Sequence, residues 1–409
     1  MQIYPQKDRL STIIIAAQNG RWTEVLEYLQ TLPIIELSDN SLALVLDLAM
    51  QVLIQGDFEE QWEIAKIIPK LGEIAIQPLL DRINDSSIDL EDRWFIARIL
   101  GGFREERVIT ALIEIIKQNE DPDLVEIATG SLAKIGISTI PALTNLLNPP
   151  VGTDPILEYR IAAITALAQI RHSQTIEPLI QMVDDLNPQM RTLIIEALSS
   201  FHDVRIPPIL LDKLTDSSAT VRKAAVTGLC LRSELSTELN LLQHLRPLLF
   251  DLNLAVCEAT ALGLSRFTDP AVVEILLELS IDPLTPVRLK SQTILALGWI
   301  DTESAISSLG QILRVSPPDL AVEVICSLGK TAKFRNQASE LLVNYLHGQQ
   351  HPAKIKQEIA AAFGNLGNIS TISDLTQLSD DLDDRVKFQA IAAINKLTSS
   401  AINCDTIPR

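Results

Sequence analysis

The amino-acid sequence predicts an all-α fold, an α-solenoid made of stacked helix pairs. A short signature recurs along the chain at intervals of 31 to 35 residues, a spacing typical of helical repeat proteins. Apolar residues within each interval follow the helical period, and no segment sustains the alternation of a strand. Only 4% of the residues are aromatic, as expected for repeat cores built from Leu, Ile and Ala.

The recurring signature is an Asp followed six positions later by a basic residue. Its copies are Asp154/Arg160, Asp185/Arg191, Asp216/Arg222 and Asp282/Arg288, with a weaker copy at Asp381/Lys387. Successive full copies begin 31, 31 and 66 residues apart, and the long interval divides at Asp251, where Cys257 stands in the basic position. A two-residue pattern in such steady phase predicts a repeat array, for which length does not predict the number of domains.

Residues 1–55 lie outside this phase and are predicted to form an N-terminal helical cap. Segments 11–32 and 41–55 have helical patterns, broken by Asn19-Gly20 and by Pro33. The terminal unit of a repeat array must present a polar outer face to water, so an atypical unit is expected at this end.

Residues 56–397 are predicted to form the repeats. In each repeat an Ala/Leu-rich helix follows the basic residue, as in segment 160–170. After a short break a Pro opens the other helix, since the N–H that Pro lacks has no intrahelical partner at that position. These prolines are Pro78, Pro141, Pro178 and Pro208. Segment 148–153 is predicted to be a loop, and residues 398–409 a frayed C-terminal tail.

The stretches 287–298 and 355–367 resemble HEAT repeats, specifically the HEAT-like repeats of phycobilisome-lyase-type proteins. The resemblance spans residues 57–397 and implies a right-handed superhelix of about ten repeats and a cyanobacterial source. It also implies that the signature is structural, with the Asp in a turn, the basic residue at the start of the second helix, and the two holding repeats together. Cys257 interrupts this ladder, which predicts a local loosening, and the thiol itself is expected to be a small core hydrophobe.

Segment 93–107 departs from the repeat pattern, because four arginines flank aromatic side chains in an otherwise acidic region. The candidates for binding a partner or a bilin are Arg93, Trp94, Arg98, Phe103, Arg104 and Arg107. Arginine can hold a carboxylate while an aromatic face covers an apolar body, and the bilin lyases that the chain resembles carry a similar helix. In the alternative interpretation, which we favour, Trp94 and Phe95 belong to the core. The arginines then pair with the acidic residues nearby, which are Glu91, Asp92, Glu105 and Glu106.

The formal net charge is −18, from 34 basic and 52 acidic residues, and it is uneven along the chain. Residues 1–150 carry 12 basic and 23 acidic side chains (−11), residues 151–300 carry 12 and 17 (−5), and residues 301–409 carry 10 and 12 (−2). This charge argues against nucleic acid as a partner, because phosphate binding needs Lys and Arg. It predicts steering toward basic surfaces of a partner, most strongly by the N-terminal half of the chain.

The sequence predicts a soluble, cytoplasmic protein with no membrane insertion. No run approaches 18 consecutive apolar residues, and the N-terminus lacks the basic and apolar regions of a signal peptide. The four cysteines form no CxxC pair, which argues against a zinc knuckle or a disulfide framework. They are Cys230, Cys257, Cys326 and Cys404.

The sequence contains no catalytic or cofactor motif. A Gly-rich phosphate loop, a nucleophile elbow and an HExxH pattern are all absent. His172 and His202 stand 30 residues apart in the turns of adjacent repeats, which would bring them near each other. Two histidines without neighbouring acidic ligands do not predict a metal site, so no catalytic residue, metal or cofactor is predicted.

Two functional hypotheses follow from these patterns. The first is a non-catalytic scaffold or adaptor that binds a protein partner on the concave helical surface, because a complete repeat pattern comes with no catalytic motif. The second, implied by the resemblance alone, is a bilin lyase or a phycobiliprotein-handling factor, with a bilin as substrate and phycobiliproteins as partners. Such lyases often work as two-subunit pairs, so the resemblance would make this chain one half of a hetero-dimer.

Overall fold

A computed structural model of the chain describes residues 6–33, 37–85, 87–118, 121–148 and 156–404. These ranges are helical or form turns, and no strand occurs within them. None of their helices is long and apolar enough to span a membrane. The chain divides into two compact units, Met1–His202 and Asp203–Arg409, each of which is a stack of helices.

The first unit contains helices α1 to α12. Their bounds are α1 Gln6–Gln18, α2 Trp22–Thr31, α3 Asp39–Gln55, α4 Phe58–Ile67, α5 Ile76–Ile83, α6 Leu90–Leu100, α7 Glu106–Gln118, α8 Pro122–Ile135, α9 Ile140–Leu147, α10 Leu157–Ile170, α11 Ile176–Ile180 and α12 Pro188–Ser199. Short 3₁₀ segments precede several of them, such as Ile68–Ala75 before α5.

The second unit contains helices α13 to α24. Their bounds are α13 Ile206–Lys213, α14 Ala219–Cys230, α15 Leu241–Leu245, α16 Leu254–Leu264, α17 Pro270–Ile281, α18 Val287–Ile300, α19 Glu303–Val315, α20 Pro318–Leu328, α21 Arg335–Gly348, α22 Ala353–Leu366, α23 Ile372–Ser379 and α24 Asp384–Cys404. The short helix α15 is extended by the 3₁₀ segment Arg246–Phe250.

The helices of each unit form two rows. From α4 to α12, and again from α14 to α24, each even-numbered helix packs directly on the next even-numbered helix. Each odd-numbered helix from α3 onward packs on the even-numbered helix that follows it, α15 doing so through its 3₁₀ extension. The apolar core lies between the rows, and its largest fully buried side chains include Phe95 of α6 and Phe363 of α22.

Small residues allow the even-numbered helices to approach each other closely. A Cβ added at Gly263 of α16 would lie 2.2 Å from the Sγ of Cys230 in α14. A Cβ added at Gly101, which follows α6, would lie 2.8 Å from the Cβ of Ser131 in α8. The recurrent Leu-Gly at the end of these helices is therefore explained by packing, since no larger residue fits at interior density.

The cap helices agree with the sequence prediction, although α1 begins at Gln6 rather than at residue 11. The prolines lie one or two residues inside their helices, as Pro141 does in α9, because the first helical N–H groups need no intrahelical acceptor. The C-terminal tail is predicted from residue 398 onward, and the last helix extends into that segment. Helix α24 continues to Cys404, since segment 398–404 contains neither Pro nor Gly to end it. Most of the predicted loop at 148–153 lies outside the described residues.

Candidate functional site

Six turns between an odd-numbered helix and the even-numbered helix that follows it share one hydrogen bond. In each, an Asp carboxylate accepts the backbone N–H of the residue two positions later, at 2.7 to 3.0 Å. Such a bond fixes the turn that starts the next helix. The Asp residues are Asp85, Asp185, Asp216, Asp251, Asp282 and Asp381.

The basic residue of the signature bonds to the backbone of its own turn. Arg191 Nη1 donates to the carbonyl of Asp185 at 2.9 Å, and Arg222 Nη1 donates to the carbonyl of Asp216 at 2.8 Å. The carboxylate that Arg222 binds belongs to Asp251 in the next repeat, with 2.7 Å bonds from Nε and Nη2. Arg222 therefore links successive repeats through an ion pair.

Two further junctions carry the same kind of ion pair. Arg160 pairs with Asp185, and Lys356 pairs with Asp381 at 2.7 Å, in each case the Asp of the following turn. Asp154, the predicted partner of Arg160, lies outside the described residues. A basic side chain at the start of a second helix thus reaches both its own turn and the next one.

Two predicted pairs form with other partners. Arg288 Nε lies 3.1 Å from an oxygen of Glu258 in the preceding even-numbered helix, and not against Asp282. Lys387 Nζ lies 3.4 Å from Asp384 in the same helix turn. In each pair at least one of the two side chains is largely exposed to water, which screens the attraction between the charges. These two pairs therefore contribute little to holding repeats together.

Cys257 occupies the basic position of its repeat and is 4% exposed. Its Sγ donates to the carbonyl of Asp251 at 3.2 Å, the same kind of bond that Arg222 makes within its own turn. Burial raises the pKa of this thiol. A thiol is too short to reach the next turn, and within the described ranges Asp282 forms no ion pair. The ladder is interrupted at this junction.

Two of the predicted binding residues come together on α6. Trp94 stacks with Trp62 of α4, with ring centroids 6.2 Å apart and an angle of 20° between planes. The Cζ of Arg98 lies 4.0 Å from the Trp62 centroid and 5.6 Å from the Trp94 centroid. Phe58 and Phe95 complete this aromatic cluster, with ring centroids 5.5 Å apart in an edge-to-face arrangement. A guanidinium is attracted to such ring faces.

The other four predicted binding residues lie elsewhere. Phe103 is 6% exposed and belongs to the core after α6. Arg93 Nη2 donates to Oε1 of Gln118, the last residue of α7, at 3.3 Å. Arg107 Nη2 lies 3.3 Å from a carboxylate oxygen of Glu73. Arg104 is exposed in the turn between α6 and α7. The six candidates therefore do not form one surface.

Neither sequence interpretation of this segment is right in full. Phe95 is fully buried, as the alternative interpretation predicted, but Trp94 is only half-buried. Asp92 pairs with Arg82 of α5 and not with an arginine of its own segment. Arg93 and Arg107 bond to side chains outside the segment.

A cavity of about 680 Å³ opens beside the aromatic cluster, lined by residues of α4, α6, α8 and α10. Its apolar wall includes Phe58, Leu90, Trp94 and Ile127. Four acidic residues, Glu91, Asp121, Asp123 and Glu126, also line the cavity, and we call them its acidic rim. Phe58 and Leu90 are 57% and 49% exposed, so the wall offers apolar area to a ligand.

Sequence reasoning missed Phe58 and Trp62 as members of this surface. The signal was present, because Trp62 and Trp94 are 32 residues apart, which is one repeat. Residues one repeat apart on even-numbered helices lie side by side, as this tryptophan pair does. The acidic rim was missed because Glu91 and Glu126 come from different helices and share no local motif.

The second unit has cavities of a different chemistry. A cavity of about 890 Å³ is lined by residues most of which are polar or charged, and its Arg246 and Arg266 are balanced by Glu234 and Asp269. Arg266 also borders a smaller cavity of about 380 Å³, whose edge includes Trp299, 60% exposed. Neither cavity combines an aromatic stack with charges of a single sign.

Several nucleophilic and metal-binding side chains are occupied or buried. The Nδ1 of His172 accepts the backbone N–H of Gln174 at 3.2 Å, and His347 Nε2 lies 2.6 Å from Asp374. Burial raises the pKa of Cys230 to about 12, which disfavours the thiolate. In the ranges that the structure covers, no group of three or more His, Cys, Asp or Glu side chains has the arrangement of a metal site.

A family model for HEAT repeats matches residues 140–230. Among solved structures the chain is similar to Kap95p in its complex with RanGDP, with a TM-score of 0.53 and 13% identity over 97% of this chain and 59% of that one. It is also similar to Kap121p bound to Nup53p, with a TM-score of 0.52 and 15% identity over 94% of this chain and 52% of that one. No curated protein sequence matches the chain.

These similarities establish the fold, because identities of 13% and 15% are too low to carry more. The fold is all-α and built from HEAT-like helix pairs, as the sequence predicted. The chain spans only 59% and 52% of the two structures. The phycobilisome-lyase type and the cyanobacterial source stay predictions.

Proposed function

We propose that the chain is a non-catalytic scaffold that binds a protein partner on the exposed faces of its even-numbered helices. The HEAT-like fold supports a protein-binding scaffold, and the similar Kap95p and Kap121p are seen in complexes with RanGDP and Nup53p. A repeat array offers a partner a surface that continues from one repeat to the next.

The observation that carries this proposal is the aromatic cluster with its cavity. Trp62 and Trp94 stack across two successive even-numbered helices, and Phe58 beside them is 57% exposed. Tryptophan and other aromatic residues dominate the energetic centres of protein interfaces because each covers a large apolar area with few rotatable bonds. Only two χ angles of Trp94 would have to be fixed on binding, and its stacking on Trp62 already restricts them.

Gly130 provides a clean test, because it lines the cavity from α8 and a Cβ added there meets no atom within 4 Å. Gly130→Leu places an isobutyl group in the cavity and should reduce partner capture. Gly130→Ala is the matched control, since it adds one methyl group and the same gain in helix propensity, about 0.5–1 kcal/mol. The measurement is quantitative capture from the native cell extract, with both variants and wild type at equal loading.

The proposal predicts proteins that are recovered by wild type and by Gly130→Ala but lost with Gly130→Leu. Trp94→Ala should lose the same proteins, because it removes an aromatic side chain that lines the same cavity. Circular dichroism and thermal unfolding check that each variant is folded. Identical recovery by all four proteins would contradict a binding role for this surface.

The bilin-handling alternative, implied by the resemblance, has less support. It relies on several arginines of segment 93–107 near aromatic faces, and of these only Arg98 lies against Trp62 and Trp94. Coexpression with a bilin and an apo-phycobiliprotein tests it directly. Coloured, covalently modified phycobiliprotein that depends on Arg98 would support a lyase, and the absence of bound colour would contradict one.

A further inference from the structure

The cavity beside the aromatic cluster has a charge that selects its ligand. We infer that it binds a basic segment of the partner protein, with an Arg or Lys side chain against the acidic rim and an apolar side chain against the aromatic wall. This inference rests on the scaffold function proposed above and names the class of partner for that same surface.

The acidic rim is not neutralised from within the chain. In the part of the chain that the structure describes, Glu91, Asp123 and Glu126 form no ion pair, and no basic side chain lines the cavity. The carboxylate of Asp121 accepts the N–H groups of Asp123 and Leu124 at 2.9 and 3.0 Å through one oxygen, which leaves its charge in place. Several like charges around one concave, partly apolar site focus the potential and attract a cation.

The charge of the surrounding sequence acts in the same direction. Residues 1–150 carry a net charge of −11, which is well over half of the −18 of the whole chain. An acidic ligand, a nucleic acid or an anionic membrane would be repelled from this region before contact. A basic protein segment is the macromolecular ligand whose charge complements both the cavity and its surroundings.

The aromatic wall already binds one guanidinium in the free protein. Arg98 lies with its Cζ 4.0 Å from the Trp62 ring centroid, which shows that this stack accepts a cation over a ring face. The partner's Arg or Lys would add its alkyl stem to the same apolar surface while its charged head reaches the rim. An apolar neighbour in the partner sequence would cover Phe58 and Leu90, which are otherwise half exposed to water.

The inference can be tested with the full-length chain and three fluorescein-labelled peptides of equal length. One alternates Arg with Leu, one alternates Glu with Leu, and one alternates Arg with Ser. Fluorescence polarisation at low salt should detect binding of the Arg/Leu peptide, weaker binding of the Arg/Ser peptide and none of the Glu/Leu peptide. Affinity for the Arg/Leu peptide should fall as salt is raised, because the rim is open to ions.

Matched variants separate the cavity from the general charge of the chain. Glu91→Gln with Glu126→Gln should weaken binding of the Arg/Leu peptide roughly fivefold to tenfold, the value for two partly exposed ion pairs. Glu303→Gln with Glu340→Gln changes the net charge by the same amount on exposed sites of α19 and α21, and should change affinity less than about twofold. Gly130→Leu should block the peptide.

The outcomes distinguish the inference from the function beneath it. Equal weakening by both double variants, or equal binding of the Arg/Leu and Glu/Leu peptides, would overturn the basic-segment inference. If Gly130→Leu still loses native partners in that case, the scaffold function stands with another kind of ligand. If Gly130→Leu changes neither peptide binding nor partner capture, both proposals fall.

Discussion

The Asp of a repeat turn can have two structural roles, as Asp251 does. One carboxylate oxygen accepts a backbone N–H of its own turn, as Asp251 does from Asn253 at 2.7 Å. The carboxylate also binds the guanidinium of Arg222 from the preceding repeat. The hydrogen bond to Arg222 lowers the pKa of Asp251, because it favours the ionised form. The two roles can be separated by substitution.

Asp251→Asn should destabilise the chain by about 3 kcal/mol, because it leaves the guanidinium of Arg222 without its carboxylate. The two side chains are only 7% and 15% exposed, so water screens the loss weakly. Asparagine can still accept the N–H of Asn253, which keeps the turn. The matched control is Asp282→Asn, whose turn bond is the same kind but which pairs with no cation in the described ranges, and its cost should stay within about 0.5 kcal/mol.

Urea unfolding of both variants measures the difference, and equal losses would assign the stability to the turn rather than to the ion pair. The dependence on pH gives a second check. Because the pKa of Asp251 is lowered in the folded state, its contribution is present above the pKa of an unfolded Asp and is lost as pH falls through the lowered value. The gap between wild type and Asp251→Asn should therefore shrink below about pH 4.

Cys230 should resist alkylation in the native chain. Burial raises its pKa to about 12, and the side chain is 3% exposed, so both thiolate and access are lacking at pH 8.5. Iodoacetamide followed by peptide mass mapping should modify Cys230 only after denaturation, and the half-buried Cys326 should react sooner. Native labelling of Cys230 at the rate of a free thiol would contradict this prediction.

The raised pKa of Cys230 also predicts a dependence of stability on pH. Above about pH 9 the thiol of the unfolded chain ionises and the thiol of the folded chain does not, so the contribution of Cys230 to stability falls as pH rises.

The sequence predicted the helices well but could not predict which repeats their side chains join. The breaks near Pro33 and at the prolines of the repeats predict the boundaries of α2, α3 and α9 to within a few residues. Phase alone does not tell whether Arg222 binds the Asp six residues before it or the one 29 residues after it, since both repeat with the same period. The outcome depends on the length of the arginine side chain and on the distance between stacked turns, which only the structure gives.

The candidate site was predicted in part for the same reason. Trp94 and Arg98 are four residues apart on one helix, so local spacing brings them to one face. Trp62 and the acidic rim are contributed by other helices, and their proximity follows from how α4, α6 and α8 stack. Phe103 and Arg107 were grouped with Trp94 by closeness in sequence, but the turn after α6 directs them to other neighbours.

Cys257→Arg should restore the interrupted ladder between two repeats. An arginine at this position can donate to the carbonyl of Asp251, as the thiol does now, and reach Asp282, as Arg222 reaches its own partner. The expected gain in stability is about 1 kcal/mol, read as a higher unfolding midpoint. In an Asp282→Asn background the gain should disappear. A loss of stability in both backgrounds would instead show that the buried site is too small for the larger side chain.

Contacts between neighbouring repeats account for the packing of the even-numbered row, because from α4 to α12 and from α14 to α24 each even-numbered helix contacts the next one. In such arrays stability is close to a sum of repeat terms and nearest-neighbour junction terms. A damaged junction should then loosen the helices beside it more than distant ones. The chain divides into two compact units, so damage in the second unit should spare helices of the first.

Hydrogen exchange on Asp251→Asn provides that test. The substitution breaks the Arg222 pair at the junction of α14 and α16, so amide protection should fall first in these helices and in α18, which packs on α16. Protection in α6 and α8, which carry the candidate binding surface, should stay at the wild-type level.

Because Gly130→Ala is expected to raise protection only in α8 and its neighbours, it provides the converse experiment in the first unit. Uniform loss of protection along the whole chain in Asp251→Asn would mean that the two units unfold as one. In that case binding at the acidic cavity would depend on junctions far away in sequence. Local loss would mean that the ladder and the binding surface can be altered independently.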